Sequence, residues 1–397
     1  MATKQVVCEV LYSGQGMCNL IKLIDDTDAI SHLILIDFGA DLDSVTVEGS
    51  TLPYLVKTIN AHGRIDVLIV SHTDTDHWNL MPKLLGQLNP TVKITKAASP
   101  IGDWTGKKAT FEAQLKKRML TGKGYKKFDS AFTDIKAKTI DTWWDESDVT
   151  LSILCASVKR ADVSKRASPA TIDTNTASVV VRCKFGTNTV VFCADATSFT
   201  LQYINKQMGD FSFGGTNLMC TVPHHGSIST LHGRLDVLEE FAEKLEPQCV
   251  LASAEMKRRL NHPNACVVSS MSEHLRPAAF AGEHDMVLYF QKKSVCGSDK
   301  LYEKILKGAQ AIDKSKLSAW LAYQDERNVF TTLADKTTIY PRWLFALNKD
   351  NSTSVEYKST KTLSRTRAAQ ALTRAEEERF FVVGDRAVTP LASMEWS

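Results

Sequence analysis

Apolar and polar positions alternate, or run together, in short blocks along most of the chain. Residues 5–12, 18–24 and 31–37 form three such blocks, broken by Gly14-Gln15-Gly16 and by Asp25-Asp26. Period-two alternation between turn residues predicts short strands. Val67-Leu68-Ile69-Val70 is apolar without a break, the pattern of a strand buried on both faces. A helix is expected over 77–87. The strand pattern returns at 150–157, 177–184 and 188–194, the last two joined by Gly186-Thr187-Asn188. Further strands are expected at 217–222, 248–252 and 286–291, with helices over 233–244 and 264–273. Two strand-rich halves interleaved with helices predict an α/β protein whose function sits at the carboxyl ends of its strands.

Two stretches depart from this pattern. Residues 97–148 show no clear strand periodicity. They carry a basic helical stretch from Phe111 to Leu120, a Gly-Lys-Gly turn at 122–124 and Trp143-Trp144, and read as an insertion over the core. From about residue 297 the pattern turns helical, with an amphipathic candidate from Lys300 to Tyr323 and a charged one at 363–380. The expected organisation is one domain over 1–296 and a mostly helical C-terminal extension over 297–397.

Composition narrows the class. The 397 residues are 43% apolar and 23% charged, an ordinary globular balance in a chain long enough to bury a core without staples. Met1-Ala2-Thr3-Lys4-Gln5 opens no signal-peptide pattern, and no apolar run reaches bilayer length. A cytoplasmic protein with no membrane partner is expected. The nine cysteines include no CxxC pair and mostly sit in apolar runs, as buried reduced thiols do.

The net charge of +3 says little, but its distribution says more. Between 107 and 127, Lys107, Lys108, Lys116, Lys117, Arg118, Lys123, Lys126 and Lys127 are opposed only by Glu112. Cations neutralise phosphates, and aromatics such as Trp104, Tyr125 and Phe128 can stack on unpaired bases. The bland reading is a solvated helix face. The sharper one makes Lys116, Lys117 and Arg118 substrate contacts and nucleic acid the partner. Lys257-Arg258-Arg259 adds charge shortly before His262.

His72, Asp74, Asp76 and His77 fall within six residues after the apolar run. A loop leaving a strand end can turn all four toward one point. Carboxylate oxygen and imidazole nitrogen are ligands for hard or borderline divalent metals. A solvated acidic turn rarely places two histidines around two aspartates.

His-x-Asp-x-Asp-His resembles the metallo-β-lactamase superfamily signature His-x-His-x-Asp-His, and the chain looks most like the hydrolase domain of ComEC-type competence proteins. Five further segments carry the resemblance in order: Leu11 to Met17, Leu35-Ile36-Asp37-Phe38-Gly39, Asn175 to Val180, Val191 to Ala196, and Val222-Pro223-His224-His225-Gly226-Ser227. Asn261-His262-Pro263 closes the series. The chain departs in carrying Ala194 where glycine is usual, Met17 where aspartate is usual, and a long 97–148 segment. No transmembrane channel accompanies it, so only hydrolase chemistry carries over, not DNA import.

The resemblance implies a metallo-β-lactamase αββα sandwich with two adjacent metals. His72 and Asp74 would hold the first. Asp76 and His77 would hold the second with help from the His224-His225 pair. Asp195 would bridge them. Asp76 would also orient the nucleophilic hydroxide, and Asp37 would hydrogen-bond a ligand from behind. Neighbouring residues on a loop do not readily face one metal, so His224 is the expected ligand and His225 the expected substrate contact or proton donor. Ser227 is either a phosphate donor or a turn residue. His262 is a ligand or supports one.

Asp74 stands where zinc lactamases have histidine, and Asn175 where another ligand could come from. Such a site suits Mn²⁺ or Mg²⁺ better than Zn²⁺, and hard metals suit phosphoryl chemistry. The expected function is a dinuclear metal-dependent phosphodiesterase or nuclease acting on DNA or RNA through metal-activated water. The rivals are a hydrolase of another ester, amide or thioester, and a binding or regulatory module with a non-catalytic metal site.

Overall fold

The apolar run before the His/Asp cluster faces two ways. In the computed structural model, Val67 and Ile69 enter one hydrophobic core, and Leu68 and Val70 a second. A strand with a core on each face has no need of polar alternation, which is why its sequence shows none. The structure describes residues 2–41, 44–136, 139–165, 173–209, 213–254, 262–263, 265–276, 286–290, 329–331, 342–358, 379–384 and 387–388.

The first sheet contains β1 (Thr3–Leu11), β2 (Asn19–Asp25), β3 (Ile30–Ile36), β4 (Arg64–Ile69), β5 (Lys93–Ser99) and β6 (Tyr125–Lys127). After a two-stranded ribbon of β7 (Ile135–Lys136) and β8 (Thr139–Ile140), the second sheet begins. It takes β9 (Trp144–Glu146), β10 (Val149–Cys155), β11 (Val180–Phe185), β12 (Asn188–Phe192), β13 (Thr216–Thr221) and β14 (Pro247–Ala252). β15 (Met286–Phe290) stands outside both sheets. β16 (Val329–Thr331) joins the second, and β17 (Arg342–Asn348) with β18 (Thr353–Lys358) joins the first. β19 (Arg379–Gly384) and β20 (Ala387–Val388) pair with β15 in a small sheet.

The two large sheets share one core. Val6, Val10, Ile21 and Ile34 of the first meet Leu151, Ile153, Val181 and Val190 of the second. Helices cover the outer faces. α1 (Ser44–Gly49), α2 (Thr51–His62), α3 (Thr75–Trp78), α4 (Met81–Gln87) and α5 (Lys107–Arg118) lie against the first sheet, burying Leu55, Ile59, Leu84, Phe111 and Leu115. α6 (Arg160–Val163), α7 (Ser198–Met208), α8 (Leu235–Leu245) and α9 (Ala265–Ser272) belong to the other half. In α8, Leu235, Leu238, Phe241, Ala242 and Leu245 are all buried, one face at helical spacing. The architecture is an αββα sandwich. Among the described residues, no helix is long and apolar enough to cross a membrane. Cys8, Cys18, Cys155, Cys183, Cys193, Cys220 and Cys249 are free and buried.

Two expectations change. Residues 97–148 are not a layer laid over the core. β5 pairs parallel with β4, β6 forms the far edge of the first sheet, and β9 the edge of the second. Trp104, Phe111, Leu115 and Phe128 are buried. Nor are the described residues after 297 mainly helical. They are strands, and the β17–β18 hairpin pairs with β1 from Gln5 opposite Asn348 to Leu11 opposite Arg342. Trp343, Phe345 and Leu347 alternate into the shared core and Val355 joins them, so a boundary at 296 would cut four of its residues away from the rest. The helix candidate at Lys300–Tyr323 and most of that at 363–380 lie outside the described residues; Arg379 and Phe380 open β19.

Arg118 changes role as well. Its guanidinium donates to the carbonyls of Leu85 (2.7 Å), Leu88 (3.2 Å), Asn89 (2.7 Å) and Val92 (3.3 Å), stapling α5 to the end of α4. The carbonyls at the end of a helix have no partner within it. Arg118→Gln is expected to cost about 1–2 kcal/mol in urea unfolding. It should leave the salt dependence of any nucleic-acid binding unchanged. A reduced salt slope with unchanged stability would restore Arg118 as a phosphate contact.

Candidate metal centre

Five strand ends converge on one point. Asp37 follows β3, Ser71 to His77 follow β4, Asp195 follows β12, His224 and His225 follow β13, and Ser253 follows β14. Four non-glycine residues there have left-handed backbones: Asp37 (φ 60°), Ala194 (48°), His224 (46°) and His225 (54°). Each costs about 1 kcal/mol or more and persists only where neighbours hold it. The His224 N–H donates to the Ala194 carbonyl (2.8 Å), and the Asp37 N–H to that of Ile69 (2.9 Å). Two glycines allow the loops to meet. A Cβ on Gly39 would lie 2.5 Å from the Asp76 carbonyl carbon, and one on Gly16 2.2 Å from the Gly39 carbonyl oxygen.

Asp37 is fully buried and organises the floor. It accepts from the Ser71 N–H (2.7 Å) and hydroxyl (2.6 Å) and contacts His77 Nδ1 at 2.8 Å. With Nδ1 engaged, His77 presents Nε2 to the site. Ser71 Oγ also lies 3.0 Å from His72 Nδ1, which turns Nε2 of that ring inward. His225 Nδ1 lies 2.6 Å from the Ser253 carbonyl, with the same consequence. The Ser253 hydroxyl donates to the Gly16 carbonyl (2.9 Å), tying the loop after β1 to this ligand.

The inward atoms surround Asp195. Its Oδ1 faces His77 Nε2 (3.0 Å) and His225 Nε2 (3.4 Å). Its Oδ2 faces His224 Nε2 (3.2 Å) and His72 Nε2 (3.6 Å). Asp76 Oδ2 lies 3.4 Å from His225 Nε2. Ligand atoms of Asp76, His77, Asp195 and His225 all fall within 4.8 Å of one another. The Nε2 atoms of His72, His77 and His225 and Oδ1 of Asp195 are buried with no hydrogen-bond partner. Buried polar atoms left unpaired are costly. Three of them, Nε2 of His77 and His225 and Oδ1 of Asp195, belong to the close group with Asp76, so the residues present fit a divalent metal.

The electrostatics agree. Burial opposes the Asp195 charge, but His224, His77, His225 and His72 outweigh it and hold the carboxyl well below its usual range. Burial likewise works against Asp76, yet His77 and His225 bring it down to about 2. Asp195 and its neighbouring carboxylates overcome burial to raise the proton affinity of His77 and His225. Those protons occupy the place a metal cation would take. Burial lowers His72 to about 3, leaving a neutral imidazole suited to ligation. Burial, then Asp195 and Asp76, raises Asp74 to about 6.

Both histidines of the pair face Asp195, where only His224 was expected as a ligand. His225 joins Asp76, His77 and Asp195 and is 1% exposed, too enclosed for a free substrate contact. His224 faces the other oxygen of Asp195, beside His72. Two successive left-handed residues send adjacent rings to opposite sides of one carboxylate. Asp74 reaches only the mouth, 3.9 Å from His72 Nε2 and 44% exposed. His262 lines the cleft, with its ring 5.9 Å from that of His224 and 6.2 Å from that of His225.

The remaining candidates lie away from this cluster. Asn175 has a buried, unpartnered Oδ1 but does not line the cleft. Ser227 bonds Ser229 (2.9 Å), as a turn residue does. Lys116 pairs with Glu112 (3.3 Å) and Lys117 is exposed, and neither lines the cleft. Trp104 and Phe128, expected as stacking platforms, are buried. Lys257-Arg258-Arg259 and Asn261 lie outside the described residues. Gln15, Asp41 and Thr75 also line the cleft. Of these, Gln15 lies in a segment that carries the resemblance and Thr75 within the His72–His77 cluster, but neither residue type signals a role by itself.

No protein-family model matches the sequence, and no curated protein matches it. Similar solved structures include a mutant of the CmlA β-hydroxylase, 14% identical over 62% of this chain and 45% of that one, with a TM-score of 0.34. They also include YhfI from Bacillus subtilis, described as a metallo-β-lactamase fold protein. It is 13% identical over 62% of this chain and 85% of its own length, with a TM-score of 0.34. The chain spans less than half of the hydroxylase it resembles. At this level of similarity the fold is read from the chain's own layers.

Proposed function

We propose that this protein is a metal-dependent hydrolase of phosphodiesters. The observation that carries the reading is Asp195, whose two oxygens face two separate pairs of histidines. One ion would be held by Asp76, His77, His225 and one oxygen of Asp195. A second would be held by His72, His224 and the other oxygen, with Asp74 at the mouth. Divalent ions in these places supply an activated water and polarise the scissile ester.

The chain's own residues set the geometry. Asp37 and Ser253 fix the ring orientations of His77 and His225. Asp76 stays ionised and reaches the cleft, where it can orient the attacking water or take its proton. Asp74 supplies an oxygen donor where a three-histidine site has nitrogen, favouring Mn²⁺ or Mg²⁺ and, through them, phosphoryl oxygens. Lys108 on α5 is close enough to Asp74 to act on its charge. Exposed Lys107, Lys117 and Lys123 continue the positive surface on and just after α5. An anionic substrate approaching the mouth would meet this charge first, and nucleic acid is the natural class.

The test is an activity panel on protein reloaded with Mn²⁺, Mg²⁺ or Zn²⁺. The substrates are bis(p-nitrophenyl) phosphate, single- and double-stranded DNA and RNA, a chromogenic β-lactam and a thioester. Phosphodiester turnover with Mn²⁺ or Mg²⁺ is expected to exceed the other classes by roughly tenfold or more. Turnover of the lactam or thioester alone would move the protein to the rival hydrolase class.

A further inference from the structure

Set aside the ligand candidates, and the cleft is lined by Gln15, Asp41, Thr75 and His262. Among the described residues, no Lys or Arg lines it. Gln15 is 2% exposed, and its side-chain Oε1 is buried with no hydrogen-bond partner. An amide oxygen in that position costs free energy unless a donor arrives.

Its backbone is held firmly. The Gln15 carbonyl accepts from Asp41 N–H (2.7 Å), the next carbonyl, of Gly16, accepts from Ser253 Oγ (2.9 Å), and Met17 N–H donates to the Asp76 carbonyl (3.3 Å). Gln15 is therefore locked to the ligand loop of Asp76 and to Ser253, which orients His225. A side chain so placed reads a group of fixed position relative to the metal side.

We propose that Gln15 is a specificity-determining residue that accepts a hydrogen bond from a hydroxyl of the substrate beside the scissile ester. In a phosphodiester that hydroxyl is the ribose 2′-OH, so the cleft favours ribonucleotides over deoxyribonucleotides. A site built around a substrate donor rejects the analogue that lacks it, because the buried acceptor is then left unpaired. The substrate assignment rests on the phosphodiester reading, and the role of Gln15 is tested by binding alone.

The experiment measures calorimetric affinity of the metal-loaded protein for adenosine 3′-monophosphate and for its 2′-deoxy analogue. Wild type is compared with Gln15→Ala and with Gln15→Met, which keeps the volume and removes the acceptor. Wild type is expected to bind the ribonucleotide about tenfold more tightly. Both variants should lose that preference while metal content by elemental analysis stays unchanged. Equal affinities in wild type, or a preference that survives in the variants, overturns the proposal. Hydrolysis of adenylyl-adenosine is followed in parallel. A ribose preference that depends on Gln15 without hydrolysis would sink the phosphodiesterase reading and leave the role of Gln15 standing.

Discussion

Asp195→Ala is expected to empty the proposed metal site and abolish hydrolysis while the sandwich stays folded. Asp195 lies within 3.6 Å of four histidine Nε2 atoms, so its loss removes a donor from both halves of the proposed site. The activating power of a bound divalent ion is several kcal/mol, and turnover should fall about a thousandfold or more. Folding survives because histidines can stay neutral when no carboxylate holds their protons, and the sheet cores lie elsewhere. Elemental analysis, circular dichroism and turnover of the variant check the three parts together. Full metal content with full activity would falsify the assignment.

Asp37→Asn should be nearly as damaging, although Asp37 is too deep to touch substrate. Asp37 accepts from Ser71 twice and holds His77 Nδ1. Asparagine keeps one acceptor and puts an amide donor where the second oxygen was. If that donor meets Nδ1, the His77 proton must move to Nε2, the atom the site needs bare. Metal affinity is expected to fall about 10- to 100-fold, as it does when such supporting partners are lost. Raising the metal concentration should recover much of the turnover, which a purely catalytic role would not allow. A variant with unchanged metal affinity would show that Ser71 and packing alone orient His77.

Much of the site was legible in the sequence because it is local. His72 to His77 lie on one loop and the short helix α3 that follows a strand whose apolar run marks it. Asp37, Asp195 and the histidine pair each follow a strand that alternation or apolar runs had already suggested. The division of labour between His224 and His225 was not legible. It depends on two consecutive left-handed residues, a backbone state that no residue type there demands. The part played by Ser253 was hidden for a similar reason, since its carbonyl does the orienting and any residue has one.

The fold was less legible at its edges. Strands of two or three residues, such as β6 and β9, are too short to show a period. α5 was visible as a helix, but its run of cations fits a solvated or phosphate-binding face and masks Phe111 and Leu115, which pin it to the core. β17 of the hairpin is as apolar as a core strand should be. Its partner β1 lies more than 300 residues earlier, and pairing over such a separation leaves no local signature.

Metal content measured against activity tests the central claim most directly. The purified chain is stripped with a chelator, assayed, and titrated with Mn²⁺ while bound metal per chain and phosphodiester turnover are followed together. Turnover is expected to vanish with the metal and to return with it, saturating near about two ions per chain. Full turnover by the stripped protein, or saturable metal binding that restores no hydrolysis of any substrate class, would contradict the account.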